Sequence, residues 1–112
     1  MIIDPQTTEE VTANELAAWL ADATSAPLLI DCRENDEWDY NQLPTATHIP
    51  LGLLLQRTDF HASRSVVVYC HHGIRSLHAT RHLRRCGTVA CFSLAGGIHA
   101  WSQEVDPQVP IY

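Results

Sequence analysis

The sequence contains no lysine: all seven of its basic residues are arginine. Set against thirteen carboxylates, they leave a formal net charge of −6, the wrong sign for a chain whose main partner is nucleic acid. Nowhere do apolar residues run for the ~20 positions that a membrane helix needs, so no membrane partner is expected. The opening MIIDPQTTEE has neither a basic segment nor a long apolar one, and no secretory signal is read from it. Of the four cysteines, Cys32, Cys70, Cys86 and Cys91, no two are spaced as CxxC, which argues against a zinc ribbon. Irregular spacing and the missing export signal point to free thiols in a reducing cytoplasm. Internal repeats and low-complexity stretches are absent too.

What is present is a chain of 112 residues, 46% of them hydrophobic. That is enough for one domain with one core. We read residues 1–112 as a single domain with its core over about 8–104. The first ten residues and the Asp106–Tyr112 tail read as loosely held. Thr12 and Glu15 have the spacing of a capping box, which starts a helix running to about Ala21. PLLID (27–31) is a short apolar run ending in a charge, hence a buried strand. ENDEWDYNQL (34–43) opens with carboxylates suited to a helix start, and Pro44 ends it. ATHIP (46–50) reads as a brief strand and LGLLLQR (51–57) as a short helix. SVVVYC (65–70) is β-branched and apolar on both faces, the mark of a central parallel strand. SLHATRHLRRC (76–86) carries Ala79, Leu83 and Cys86 on one face, with Gly87 to end the helix. TVACFSL (88–94) is a further strand, and GGIHAWSQE (96–104) starts a last helix. Strands alternating with helices make an α/β fold, a central parallel sheet of about five strands with helices on both faces.

Parallel sheets bind ligands beyond the carboxyl ends of their strands, and Cys70 ends the most apolar strand. Between it and a helix starting near Arg75–Ser76, only His71, His72, Gly73 and Ile74 make the turn. Gly73 permits unusual dihedrals and close backbone approach. Such a turn can aim successive N–H groups inward as an anion nest, and the helix start adds its positive end. A thiol held there ionises below the free value of about 8.5. Arg75 adds a fork of donors suited to an oxyanion. The loop therefore reads as a thiolate nucleophile facing an anionic substrate. The competing reading, a core cysteine beside a surface arginine, gives Gly73 and Arg75 no shared purpose.

The four segments LLIDCRENDEW (28–38), ATHIP (46–50), VYCHHGIRS (68–76) and LAGGIHAW (94–101) resemble, in order, motifs of the rhodanese-like sulfurtransferases of single-domain bacterial type. The resemblance spans about residues 8–112. It implies that Cys70 carries a persulfide, that His71, His72, Gly73, Ile74, Arg75 and Ser76 form the substrate loop, and that Asp31 and Arg33 stand at positions that brace the site; their residue types favour a structural ion pair as that role. It implies no cofactor beyond the covalent persulfide on Cys70, and no metal. Partners would be a small anionic sulfur donor such as thiosulfate and a cyanide or thiol acceptor, including a thioredoxin-like or sulfur-carrier protein. Related phosphatases have a loop one residue longer, so four residues between Cys70 and Arg75 favour sulfur over phosphorus chemistry. Two further readings stay open: a persulfide carrier module with a protein donor or acceptor, and an arsenate reductase or phosphatase.

Several residues admit bland roles. Cys32, beside Asp31 at a strand end, is either a resolving thiol near Cys70 or a small core filler. Cys86 and Cys91 read as core. His78 and His82 have helical spacing for a metal pair but lack a third ligand. His71 and His72 could carry partial charge for a donor anion or simply fill the loop. Trp38 and Trp101 read as helix-packing residues, and Arg81, Arg84 and Arg85 as a solvated helix face or a basic patch. NQLPTA (41–46) departs from the family's turn sequence. There Asn41 can take a left-handed conformation, whereas Thr45 does so only with strain.

Overall fold

A computed structural model describes residues 3–58 and 64–112. Met1 and Ile2, part of the expected loose N-terminus, and residues 59–63 of the expected core span lie outside the described residues. Five strands, β1 (Glu10–Val11), β2 (Leu28–Asp31), β3 (Thr47–His48), β4 (Val66–Tyr69) and β5 (Cys91–Leu94), form one sheet in the order β1-β5-β4-β2-β3. Every pairing is parallel. The helices are α1 (Ala13–Leu20), α2 (Asn35–Tyr40), α3 (Leu51–Leu54), α4 (Ile74–Arg85) and α5 (Gly97–Glu104). Among the described residues, no helix is long and apolar enough to cross a membrane.

The expected α/β architecture is what the chain forms, and its two faces are visible in the core. Leu29, Val67, Tyr69 and Phe92 pack on one side with Leu16 and Trp19 of α1 and Ile98 and Trp101 of α5. Ile30, Cys32, Val66, Val68 and Cys70 pack on the other with Leu54, Ala79 and Leu83 of α3 and α4. Side chains alternate across a strand, so the uniformly apolar β4 feeds both clusters and is fully buried. The capping box of α1 is present: Thr12 Oγ1 accepts from Glu15 N at 3.1 Å, and Glu15 Oε1 accepts from Thr12 N at 2.8 Å.

Three expectations need correction. The N-terminal segment is not loose from residue 3 onward. Glu10–Val11 pairs with β5 as an edge strand, and the Arg84 guanidinium donates to the carbonyls of Pro5 and Thr8, both at 2.9 Å. Arg84 is therefore a tie between segments and not a solvated side chain. Arg81 is paired as well, with Glu9 at 2.8 Å. The Asp106–Tyr112 tail is docked: Val109 is buried, the carbonyl of Pro110 accepts from Asn41 Nδ2 at 2.7 Å, and Tyr112 is held at both ring and hydroxyl.

The third correction concerns the 41–46 turn. Asn41 is extended, with φ −154°, because Arg33 binds both its side-chain and its main-chain oxygen at 2.7 Å. Thr45 instead takes the left-handed conformation, with φ 67°. A branched side chain there costs about 1–2 kcal/mol. Thr45→Gly is expected to raise the melting temperature by several degrees, about 1 kcal/mol in a domain this size. A calorimetric melt that is unchanged or lowered would show the turn unstrained.

Candidate active site

The loop between β4 and α4 is shaped from behind by α5. A helix start leaves its first N–H groups without intrahelical partners. In α5 two of them are used on the loop: Ile98 N donates to the Cys70 carbonyl at 2.9 Å and His99 N to the His71 carbonyl at 3.1 Å. The approach is close enough to require Gly97. A Cβ there would lie 2.3 Å from His71 O and 2.5 Å from Cys70 O, both backbone atoms, and its φ is +62°. Gly73 turns the loop into α4 with φ +104°.

With those carbonyls drawn toward α5, N–H groups are aimed at sulfur. Cys70 Sγ accepts from Gly73 N at 3.1 Å and Ser76 N at 3.4 Å, and Ser76 Oγ lies 3.4 Å away. Ser76 Oγ is itself 2.7 Å from Ser93 Oγ. The Cys32 thiol adds a hydrogen bond from the end of β2, the largest contribution to the Cys70 anion. Together with the Ser76 and Gly73 donors it outweighs burial and pulls the Cys70 thiol down to about 4. The same hydrogen bond, with burial added, pushes Cys32 far up. The sulfur at the end of β4 is thus a thiolate at neutral pH and Cys32 a thiol.

Asp31 and Arg33 form a wholly buried ion pair at 2.7 Å. All five N–H donors of the guanidinium are used: they reach Asp31, Asn41 and the Tyr112 hydroxyl. Such a pair is costly to break because either partner alone would be an uncompensated buried charge. It links the end of β2 to the 41–46 turn and the tail.

Arg75 is placed otherwise than expected. Its guanidinium grips Glu37 of α2 through two bonds, 2.7 and 3.0 Å, while the side chain stays 32% exposed. Glu37 also accepts from the Tyr112 hydroxyl at 2.6 Å and closes a capping box with Glu34. Ile74, next in the loop, is 81% exposed.

The rim is aromatic. The His71 ring stacks on Tyr112 at 3.9 Å and on His72 at 3.9 Å. Burial, helped by the neighbouring His72, lowers His71 and so disfavours its charged form. His71, His72 and His99 bring one ligating atom each within 4.8 Å of one another, and His71 Nε2 and His99 Nδ1 are buried without hydrogen-bond partners. In the sequence His78 and His82 stand out by their helical spacing, and His99 does not. Yet His82 Nε2 is engaged with the Arg57 carbonyl at 2.7 Å. The available signal was the position of His99 in the first turn of α5, the helix whose start holds the loop.

The Rhodanese-like domain family model matches residues 12–104, and the chain belongs to this family. It is 34% identical over 101 residues to a protein of Allochromatium vinosum named sulfurtransferase, across 89% of this chain and 94% of that one. It is 31% identical over 106 residues to the adenylyltransferase and sulfurtransferase uba4 of Ogataea parapolymorpha, across 93% of this chain and 26% of that one. The chain spans about a quarter of the length of the curated relatives of this second kind. A crystal structure of a rhodanese-related protein from Thermoplasma volcanium superposes with a TM-score of 0.77 at 25% identity, across 93% of this chain and 99% of that one.

The Glu37 contact has a pH signature. Chiefly through Arg75, its carboxyl is lowered from 4.5 to about 2. A group lowered in the folded state stabilises above its unfolded value and loses that contribution as pH falls through the folded one. Wild type should therefore exceed Glu37→Gln by about 1–3 kcal/mol above about pH 5, allowing for solvent screening, and the gap should close toward about pH 2. Melting curves of both proteins across that range test this; a constant gap would refute it.

Proposed function

We propose that this chain is a sulfurtransferase that carries sulfane sulfur on Cys70. The observation that supports it most is the donor set converging on one sulfur: Gly73 N, Ser76 N and Ser76 Oγ, all within 3.4 Å. That set suits a thiolate and also the negative outer sulfur of a persulfide, so the loop needs no external base. In the first half-reaction the Cys70 thiolate attacks the sulfane sulfur of a donor such as thiosulfate. The bond to the sulfonate sulfur breaks and sulfite leaves with its electron pair. In the second, cyanide or a thiolate attacks the outer sulfur and the Cys70 thiolate departs. The persulfide is the only carrier required. Family membership and the sulfurtransferase named in Allochromatium vinosum support this reaction class. Thiosulfate remains the donor we propose on chemical grounds, and the cytoplasm the compartment, because it keeps thiols reduced.

A protein acceptor is the second reading. The loop is flanked by a groove lined by His72, Ile74, Leu77, His78 and Arg85, in which exposed Ile74 offers an apolar anchor beside the sulfur. The long relatives that combine adenylyltransferase and sulfurtransferase in their names are in keeping with a sulfur-carrier or thioredoxin-like acceptor. Phosphoryl and arsenate chemistry is disfavoured on this reading. Only four residues separate Cys70 from Arg75, and Glu37 already neutralises the guanidinium that would stabilise a phosphoryl group.

The decisive experiment is intact-mass analysis after thiosulfate, with quantitation of sulfite. Wild type should release sulfite and gain one sulfur, transiently or stably; Cys70→Ser should do neither while keeping its melting temperature. Sulfite release near the wild-type rate from Cys70→Ser would move the nucleophile elsewhere. Cleavage of an aryl phosphate, lost in Cys70→Ser, would favour the phosphatase reading instead.

A further inference from the structure

Cys32 is spaced and oriented for chemistry with Cys70. Strands β2 and β4 run parallel and in register, from Leu28 opposite Val66 to Asp31 opposite Tyr69. The ladder continues one step further, with Cys32 N donating to the Tyr69 carbonyl at 3.0 Å. Cys32 and Cys70 are therefore the next facing pair. Neighbouring strands lie about 4.8 Å apart, inside the Cα separation of about 4.4–6.8 Å that a disulfide spans. Both side chains point to the same face of the sheet and belong to the same buried cluster. Each thiol acts on the ionisation of the other, Cys70 being lowered and Cys32 raised, and neither is more than 1% exposed. A filler residue explains the burial of Cys32 but not a thiol aimed at the one sulfur that the site is built around.

We propose that Cys32 is a resolving thiol that converts the Cys70 persulfide into a Cys32–Cys70 disulfide with release of hydrosulfide. The step rests on the persulfide reading above. Cys32 sulfur attacks Cys70 Sγ; the new S–S bond joins the two cysteines, and the bond from Sγ to the outer sulfur breaks. The outer sulfur leaves with that electron pair and takes the Cys32 proton, departing as HS⁻. Charge is conserved. The sulfane sulfur is reduced by two electrons and the two cysteine sulfurs are oxidised by two, so no external oxidant enters. A dithiol reductant is needed afterwards to reopen the pair. While Cys70 is a bare thiolate, the hydrogen bond keeps Cys32 protonated. Once Cys70 carries an outer sulfur, the negative charge moves onto that sulfur, which becomes the proton acceptor. When acceptor is plentiful the sulfur is transferred; when it is scarce the protein discharges sulfide and locks itself until reduced.

The test uses the full chain, reduced, freed of reductant and loaded with inorganic polysulfide, which does not depend on thiosulfate being the donor. After removal of excess reagent and denaturing alkylation, intact mass and released sulfide are followed over time. Wild type should pass from one sulfur heavier to two hydrogens lighter than the reduced protein, losing two alkylatable thiols and releasing stoichiometric sulfide. Cys32→Ser should keep the added sulfur at least about tenfold longer and release little sulfide; Cys32→Ala serves as a second variant if the serine is poorly tolerated. A wild-type persulfide as long-lived as that of the variants would overturn the resolving role and leave the persulfide standing. No added sulfur in any of these proteins would overturn the persulfide reading, and this inference with it.

Discussion

Two hydrogen bonds, from the first turn of α5 to the carbonyls of Cys70 and His71, set the conditions for everything at this site. Helix starts ordinarily find caps or water for their free N–H groups. Here a neighbouring loop fills that need, and in filling it the loop turns its own N–H groups toward a sulfur. The exchange works only at backbone contact, which is why Gly97 has no room for a side chain. The paired glycines of LAGGIHAW are thus as much part of the sulfur site as the cysteine loop, although more than twenty residues separate them from Cys70.

Electrostatics follow from that backbone geometry. The anion at Cys70 is held by the Cys32 thiol, a hydroxyl and two peptide N–H groups, while the nearby arginines are already satisfied. Arg33 is enclosed with Asp31, Asn41 and Tyr112, and Arg75 is bound by Glu37. These ion pairs fix β2, α2 and the C-terminal tail around the loop. A neutral, donor-lined cradle favours a sulfur that gains and loses its negative charge without rearrangement, since dipoles fixed in advance need no reorganisation as the reaction proceeds.

Much of this fold could be read from local signals. Thr12 and Glu15 mark a helix start within four residues, and Val66–Tyr69 is apolar at every position because both faces of a central strand are covered. Glu10–Val11 escaped notice because two residues show no alternation. The tail was read as loose because its order comes from Arg33, Glu37 and His71, far away in sequence. The same limit hid the Arg75–Glu37 pair, the imidazole of His99, and the reason why Thr45, not Asn41, takes the left-handed turn. Cys70 and Gly73 stand out in the sequence because the N–H donors of Gly73 and Ser76 lie within six residues of the sulfur, whereas the contributions of Cys32 and α5 come from far along the chain. The Glu37 partner of Arg75 is not legible locally because it lies 38 residues away.

Sulfur chemistry at this site depends on the loop, pinned by α5, making Cys70 an anion under ordinary conditions. The rate of alkylation of Cys70 as a function of pH, followed by peptide mass with Cys86 as an internal comparison, measures this directly. The midpoint should fall near 4, far below that of a free thiol at about 8.5. A midpoint at or above the free-thiol value would mean that the donors converging on Cys70 do not hold a thiolate, and the proposed sulfur chemistry would lose its physical basis.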